Sequence, residues 1–276
     1  MSVSIVNYLD SSTFAGETST VVSKPSGVQD GDLLVVQVGA ATAVGGNILS
    51  VPSGWTLLQS SSAAGGSNVI QHVYWKIASS EPSFWTWTWD AAGFDKSGMC
   101  VAFRTIDPNA AISVSGQAGV ANSSTPSFAN TITPTIENSM IVMFIRGADR
   151  TGTYGSYAIS NDNPTWSELF EVDNGANLIA VATAFRPQTT ATGNSSGAYS
   201  SGGGQDTTSI IFAINPHEDI SQIDTVVSSE AITVLKSLVS NISDAVTSSE
   251  NITSLALRVW NKVTKPSNIW NNQDKP

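Results

Sequence analysis

Gly31-Asp32-Leu33-Leu34-Val35-Val36-Gln37-Val38-Gly39 is the stretch that decides the fold. Six mostly apolar, β-rich residues stand between turn residues, which reads as a strand. The same form recurs in Val69-Ile70-Gln71-His72-Val73-Tyr74-Trp75, in Met140-Ile141-Val142-Met143-Phe144-Ile145, in Leu178-Ile179-Ala180-Val181-Ala182 and in Ser209-Ile210-Ile211-Phe212-Ala213-Ile214. Pro25, Pro52, Pro82, Pro108, Pro126, Pro134, Pro164 and Pro187 recur too often for long helices, and no helical periodicity stands out. Residues 1–216 therefore read as an all-β body.

The body repeats its own plan. Gly31-Asp32-Leu33-Leu34-Val35-Val36 has a counterpart in Asn138-Ser139-Met140-Ile141-Val142-Met143, and Pro52-Ser53-Gly54-Trp55-Thr56 in Asn163-Pro164-Thr165-Trp166-Ser167. The Val73 strand matches the Ala180 strand, and Met99-Cys100-Val101-Ala102-Phe103 matches Ser209-Ile210-Ile211-Phe212-Ala213. The expected fold is a jelly-roll-like, Greek-key β-sandwich made of two interleaved units, with Trp55 and Trp166 in corresponding buried places.

Bulk properties narrow the function. The chain has 276 residues, a formal net charge of −10 and only 12% charged residues. Twelve lysines and arginines offer no broad basic patch, so no nucleic-acid partner is expected. Cys100, the single cysteine, excludes an intrachain disulfide and a multi-cysteine metal site, and its apolar surroundings in sequence predict a buried small hydrophobe. The first residues lack a cationic segment followed by an apolar one, and no apolar run approaches the ~20 residues of a membrane helix. A soluble product of the cytoplasm, with no membrane insertion, is the expectation.

Beyond Pro216 the character changes. Asp224-Thr-Val-Val-Ser-Ser-Glu230-Ala-Ile-Thr233 recurs as Asp244-Ala-Val-Thr-Ser-Ser-Glu250-Asn-Ile-Thr253, and Trp260-Asn261-Lys-Val-Thr-Lys265-Pro266 as Trp270-Asn271-Asn-Gln-Asp-Lys275-Pro276. Residues 1–216 carry 15 acids and 7 bases, net −8; residues 217–255 carry 6 and 1, net −5; residues 256–276 carry 1 and 4, net +3. These repeats are too short and polar to bury a core alone, so residues 217–276 read as an extended, repetitive arm that packs on a neighbour. Strand fits their Thr, Val and Ile content, although Ala231 to Val246 also fits an amphipathic helix. Arg258, Trp260, Asn261, Lys265, Trp270, Asn271 and Lys275 are its expected assembly contacts: tryptophan combines apolar area with an N–H that needs a partner.

Other patterns carry less. In Phe84-Trp85-Thr86-Trp87-Thr88-Trp89, a strand puts Trp85, Trp87 and Trp89 on one face. That row either fills the sandwich core, the better reading, or forms a glycan or partner surface. Gly193-Asn194-Ser195-Ser196-Gly197 matches the Gly-x-Ser-x-Gly nucleophile pattern, but it lies in a Ser/Gly stretch read as a loop, and the pattern needs a strand-to-helix turn and a histidine. His72 and His217 cannot by themselves form a metal site, and Asp162, Glu168, Glu171 and Asp173, which lack EF-hand spacing, read as solvated acids rather than Ca²⁺ ligands. No catalytic residue, cofactor or metal is expected.

Lys24-Pro25-Ser26-Gly27-Val28-Gln29-Asp30-Gly31-Asp32-Leu33-Leu34, Pro52-Ser53-Gly54-Trp55-Thr56-Leu57, Tyr74-Trp75-Lys76-Ile77-Ala78 and Glu81-Pro82-Ser83 follow one another in an order and spacing that resemble a β-sandwich of tailed-phage structural proteins and related prophage products. Thr86 and Thr88 between aromatics belong to the same resemblance, and the arm's Ser-Glu-x-Ile-Thr and Trp-Asn-x-x-x-Lys repeats look like those of phage virion proteins. The resemblance covers about the first 215 residues and implies a virion location; it supplies no catalytic residues to carry over. The expected function is a non-enzymatic structural protein on the particle exterior, capsid-decorating, joined through its arm to other virion proteins and to copies of itself. The alternative is a tail- or fibre-associated adhesin that binds host surface glycan.

Overall fold

A computed structural model describes residues 2–13, 17–41, 46–63, 69–90, 92, 95–123, 127–128, 131–147, 154–159, 167–173, 178–186, 195–199 and 205–217. The chain divides into two units, Met1–Glu218 and Asp219–Pro276, and the described residues all lie in the first.

Sixteen strands and no helix occur among the described residues. The first eight are β1 (Ser4–Thr13), β2 (Ser19–Ser23), β3 (Leu33–Ala41), β4 (Ile48–Ser50), β5 (Thr56–Ala63), β6 (Val69–Ile77), β7 (Phe84–Trp89) and β8 (Asp95–Arg104). They form a five-stranded sheet in the order β1-β8-β3-β6-β5 and a three-stranded sheet β2-β7-β4. The second eight are β9 (Ile112–Ser123), β10 (Ser127–Phe128), β11 (Ser139–Gly147), β12 (Tyr154–Ile159), β13 (Ser167–Asp173), β14 (Leu178–Arg186), β15 (Ser195–Tyr199) and β16 (Gln205–Ile214). Their sheets run β13-β14-β11-β16-β9 and β10-β15-β12. Adding eight to each strand of the first half reproduces the second. All pairings are antiparallel.

The duplication extends to irregularities. The β5–β6 ladder steps over Leu58, and the β13–β14 ladder steps over Leu169, one residue later than the same count from Thr56 and Ser167 would place a regular pair. In the β1–β8 pair Val6 is stepped over, and in the β9–β16 pair Ser113 is. A bulge re-aims the chain by one residue, so keeping it at the same station preserves which side chains face inward. Leu58, Leu169, Ile5 and Ile112 all pack against the same central core.

The two halves of the body are consecutive, not interleaved as expected: among the described residues no strand of one half joins a sheet of the other. The sequence match of Met99–Phe103 to Ser209–Ala213 is also one residue out of step. Leu33 pairs with Phe103 and Met140 with Ile214, so Phe103 corresponds to Ile214. Trp166 lies outside the described residues, while Thr56 and Ser167, which follow the two tryptophans, hold the same register position opposite Trp75 and Thr183.

The five-stranded sheets face each other. Leu33, Val35, Val73, Met99, Val101 and Phe103 of the first meet Met140, Val142, Phe144, Ile210, Phe212 and Ile214 of the second. The other face of the first sheet packs Leu34, Val36, Val38, Tyr74, Cys100 and Ala102 against Val22, Trp85, Trp87 and Trp89 of β2 and β7. β3 is thus buried on both faces, which is why its sequence is an unbroken apolar run rather than an alternation.

Candidate functional site

The turns before β3 and β7 converge with the end of β8 on one corner of the first half. Gly31 takes φ +93°, a left-handed turn that turns the chain into β3. Arg104, last in β8, grips Asp32 with two hydrogen bonds, Nε to Oδ1 at 2.8 Å and Nη2 to Oδ2 at 2.7 Å. Its Nη2 also donates to the Gly27 carbonyl, and the Gln29 amide donates to Asp32 Oδ2. The Asp32 carboxylate and its hydrogen bonds hold the Arg104 guanidinium more firmly charged than usual. Nearby, the Ser80 amide donates to Asp30 Oδ1 at 2.7 Å.

Glu81 organises the neighbouring turn. Its carboxylate takes an ion pair from Lys76 Nζ at 2.7 Å, the indole N–H of Trp85 at 3.2 Å and the Ser79 amide at 3.0 Å. Lys24 Nζ donates to its main-chain carbonyl. Lys76 Nζ also sits 5.8 Å from the centre of the Trp55 ring. The charged side chains Asp32, Lys76, Glu81 and Arg104 are thus engaged with partners inside this corner, an arrangement that fixes turns.

Beside it lies an aromatic core. Trp55 meets Trp85 edge-on at 5.1 Å between ring centres and Trp87 at 5.4 Å. Tyr74 lies 6.0 Å from Trp87, and Trp89 donates its indole N–H to Thr20 Oγ1 at 2.9 Å. Trp85, Trp87 and Trp89 are buried, while Phe84 on the opposite face is 54% exposed. The reading of the three tryptophans as a glycan or partner surface is thereby corrected: alternation turns them inward, onto the five-stranded sheet.

A serine–histidine contact escaped the sequence reading, because β5 and β6 had to be paired to bring it together. Ser60 Oγ lies 2.7 Å from His72 Nδ1. Burial, and then the charge of Arg146, pull His72 down to about 4. Its Nε2 is buried without a hydrogen-bond partner, and its ring rests 6.0 Å from Trp89. A neutral imidazole this weakly basic, with no carboxylate on its far nitrogen among the described residues, is poorly suited to activating a serine.

A second unforeseen feature lies between the two five-stranded sheets. Arg146 of β11 is fully buried and crosses to the opposite sheet, where Nη2 donates to the Gly39 carbonyl at 2.6 Å and to Ser97 Oγ at 2.8 Å. Gln37 donates to Gln71 in the same layer. Burial lowers Arg146 to about 9, which leaves it charged at neutral pH. A Cβ on Gly39 would fall 2.8 Å from Arg146 Cδ and 2.3 Å from the Ile70 carbonyl, so only glycine makes room.

Ser195 opens strand β15, where it pairs with Phe128 and Ile159, rather than lying in a loop. Gly193, Asn194 and Asp162 lie outside the described residues. Cys100 is buried, and burial pushes its thiol far up. Among the described residues no three His, Cys, Asp or Glu side chains are grouped to hold a metal ion, and no helix is long and apolar enough to cross a membrane. Arg258, Trp260, Asn261, Lys265, Trp270, Asn271 and Lys275 fall outside the described residues. No protein-family model, curated protein or solved structure matches the chain.

Proposed function

We propose that this chain is a non-enzymatic structural protein of the exterior of a phage particle, capsid-decorating, with residues 1–216 displayed and residues 217–276 joining it to other virion proteins. The observation that carries the reading is what the first sandwich does with its conspicuous residues. Asp32, Arg104, Glu81, Lys76 and the tryptophans are consumed in holding turns and filling a core. The chemistry left for contact lies in the arm, whose tip repeats Trp-Asn-x-x-x-Lys-Pro and carries net +3 on an acidic protein. The adhesin alternative loses its aromatic platform when Trp85, Trp87 and Trp89 turn inward.

Tip attraction to an acidic neighbour would be screened beyond ~8–10 Å at ordinary salt, so Trp260 and Trp270 are assigned most of the affinity. Deletion of residues 256–276 tests this. The truncated chain should remain folded and soluble but be missing from purified particles. Full occupancy of the particle by the truncated chain overturns the proposal.

A further inference from the structure

Each half covers a five-stranded sheet with a three-stranded one. Among the described residues β4 pairs only with β7, and β12 only with β15, so each small sheet ends on a strand bonded along one side. In the first half, the chain around that edge is apolar and open: Leu49 is 68% exposed, Leu57 50% and Val51 37%. No charged residue occurs from Ile48 to Leu57. Pro52, which lacks an N–H, stops β4 after three residues, so the edge can offer only a few main-chain bonds.

We propose that this edge accepts an extended segment from a second copy of the chain, residues 224–233 or their repeat 244–253, as an added fourth strand. The inference rests on the arm's assembly role and names what it grips. Three observations favour this occupant over an unrelated protein. The chain holds 58 residues beyond Glu218, ample for reaching a neighbour. The arm carries two copies of one Thr-, Val- and Ile-containing segment, and the body carries two three-stranded sheets with the same strand order. The segment's Val226 and Ile232, and Val246 and Ile252 in the repeat, supply apolar side chains to set against the exposed Leu49, Val51 and Leu57. Strand addition draws affinity from main-chain bonds and specificity from alternate side chains. A three-residue edge makes the contact weak, and a repeated segment on one arm raises the local concentration of strands able to occupy it. A weak single edge also guards free protein against uncontrolled association.

The test uses full-length chains with two distinguishable tags. One carries Leu49→Cys, the other Val226→Cys and Val246→Cys; buried Cys100 stays out of the chemistry. The two are mixed free and, separately, co-assembled on particles, then oxidised. A disulfide-linked species containing both tags, lost when Leu49→Cys is replaced by Thr86→Cys on the exposed face of β7, is the expected result. No link between the two tagged chains in either sample, or a link that persists equally when Thr86→Cys replaces Leu49→Cys, overturns the inference. If no link forms but deletion of 256–276 still removes the protein from particles, the assembly role stands and strand addition falls. If the full-length protein is absent from particles, the assembly role falls, and the free sample alone decides strand addition.

Discussion

The two halves of the body share a strand order and two bulges, yet they solve equivalent positions with different chemistry. Asp32 corresponds to Ser139 and Arg104 to Asn215. The first pair is a bidentate ion pair with its arginine partly in solvent. In the second, Ser139 Oγ donates to the Ile136 carbonyl and lies 3.3 Å from Asn215 Oδ1, and both residues are buried. Gly31 at φ +93° is answered by Asn138 at φ +59°, the residue besides glycine that best tolerates that region. Gly39 corresponds to Arg146, so one half supplies the room and the other the side chain that fills it. β7 reads Phe-Trp-Thr-Trp-Thr-Trp, whereas its counterpart β15 reads Ser-Ser-Gly-Ala-Tyr. Backbone plan is thus preserved through register and turn conformation, while side chains at equivalent positions diverge in size and polarity.

Truncation should hit the halves unequally. Trp87→Ala should cost roughly 3–5 kcal/mol, since it empties the middle of the tryptophan cluster. Chemical denaturation should show this as a large drop in midpoint, and a loss under 1 kcal/mol would mean the first half does not depend on its aromatic row.

Acid should act next. His72 is near 4 in the folded chain and 6.5 as a free side chain, so the unfolded chain binds its proton first. Its contribution is complete above about pH 6.5 and is lost as pH falls through 4, a loss on the order of 3 kcal/mol. His72→Gln should flatten that part of the stability–pH curve; an unchanged slope would remove His72 as its source.

The corner pairs give the smaller effects. Asp32→Ala strips Arg104 of its main partner and frees the Gln29 amide, and should cost about 2 kcal/mol. Ser139→Ala should cost about 1 kcal/mol, because a neutral hydroxyl is lost. Salt should lessen the first loss and leave the second alone. Equal costs with equal salt responses would erase the distinction drawn between the corners.

Sequence revealed strands where composition and boundaries agreed, as at Leu33–Val38 and Met140–Ile145. The alternation in Phe84–Trp89 correctly favoured the core. It failed where a strand is buried on both faces. Met99–Phe103 and Ser209–Ala213 are buried throughout and, Ser209 apart, apolar, so no alternation marks which residue faces which sheet, and a one-residue slip matched as well as the true register. Arg146 ends an apolar run, where a charge ordinarily marks emergence into solvent; its burial depends on a glycine 107 residues away in sequence. Ser195 sits among glycines and serines, and its strand is defined by partners in β10 and β12 rather than by its own propensity. The Ser60–His72 contact likewise needed the β5–β6 register.

The most direct test of the proposed role is an electron-microscopy map of phage particles purified from cells that make this chain. The account predicts many copies on the outside of the head, each a pair of stacked jelly-roll-like sandwiches with density for residues 217–276 running into neighbouring subunits. A particle that lacks the protein, or one that carries only a few copies at the tail tip, would contradict it.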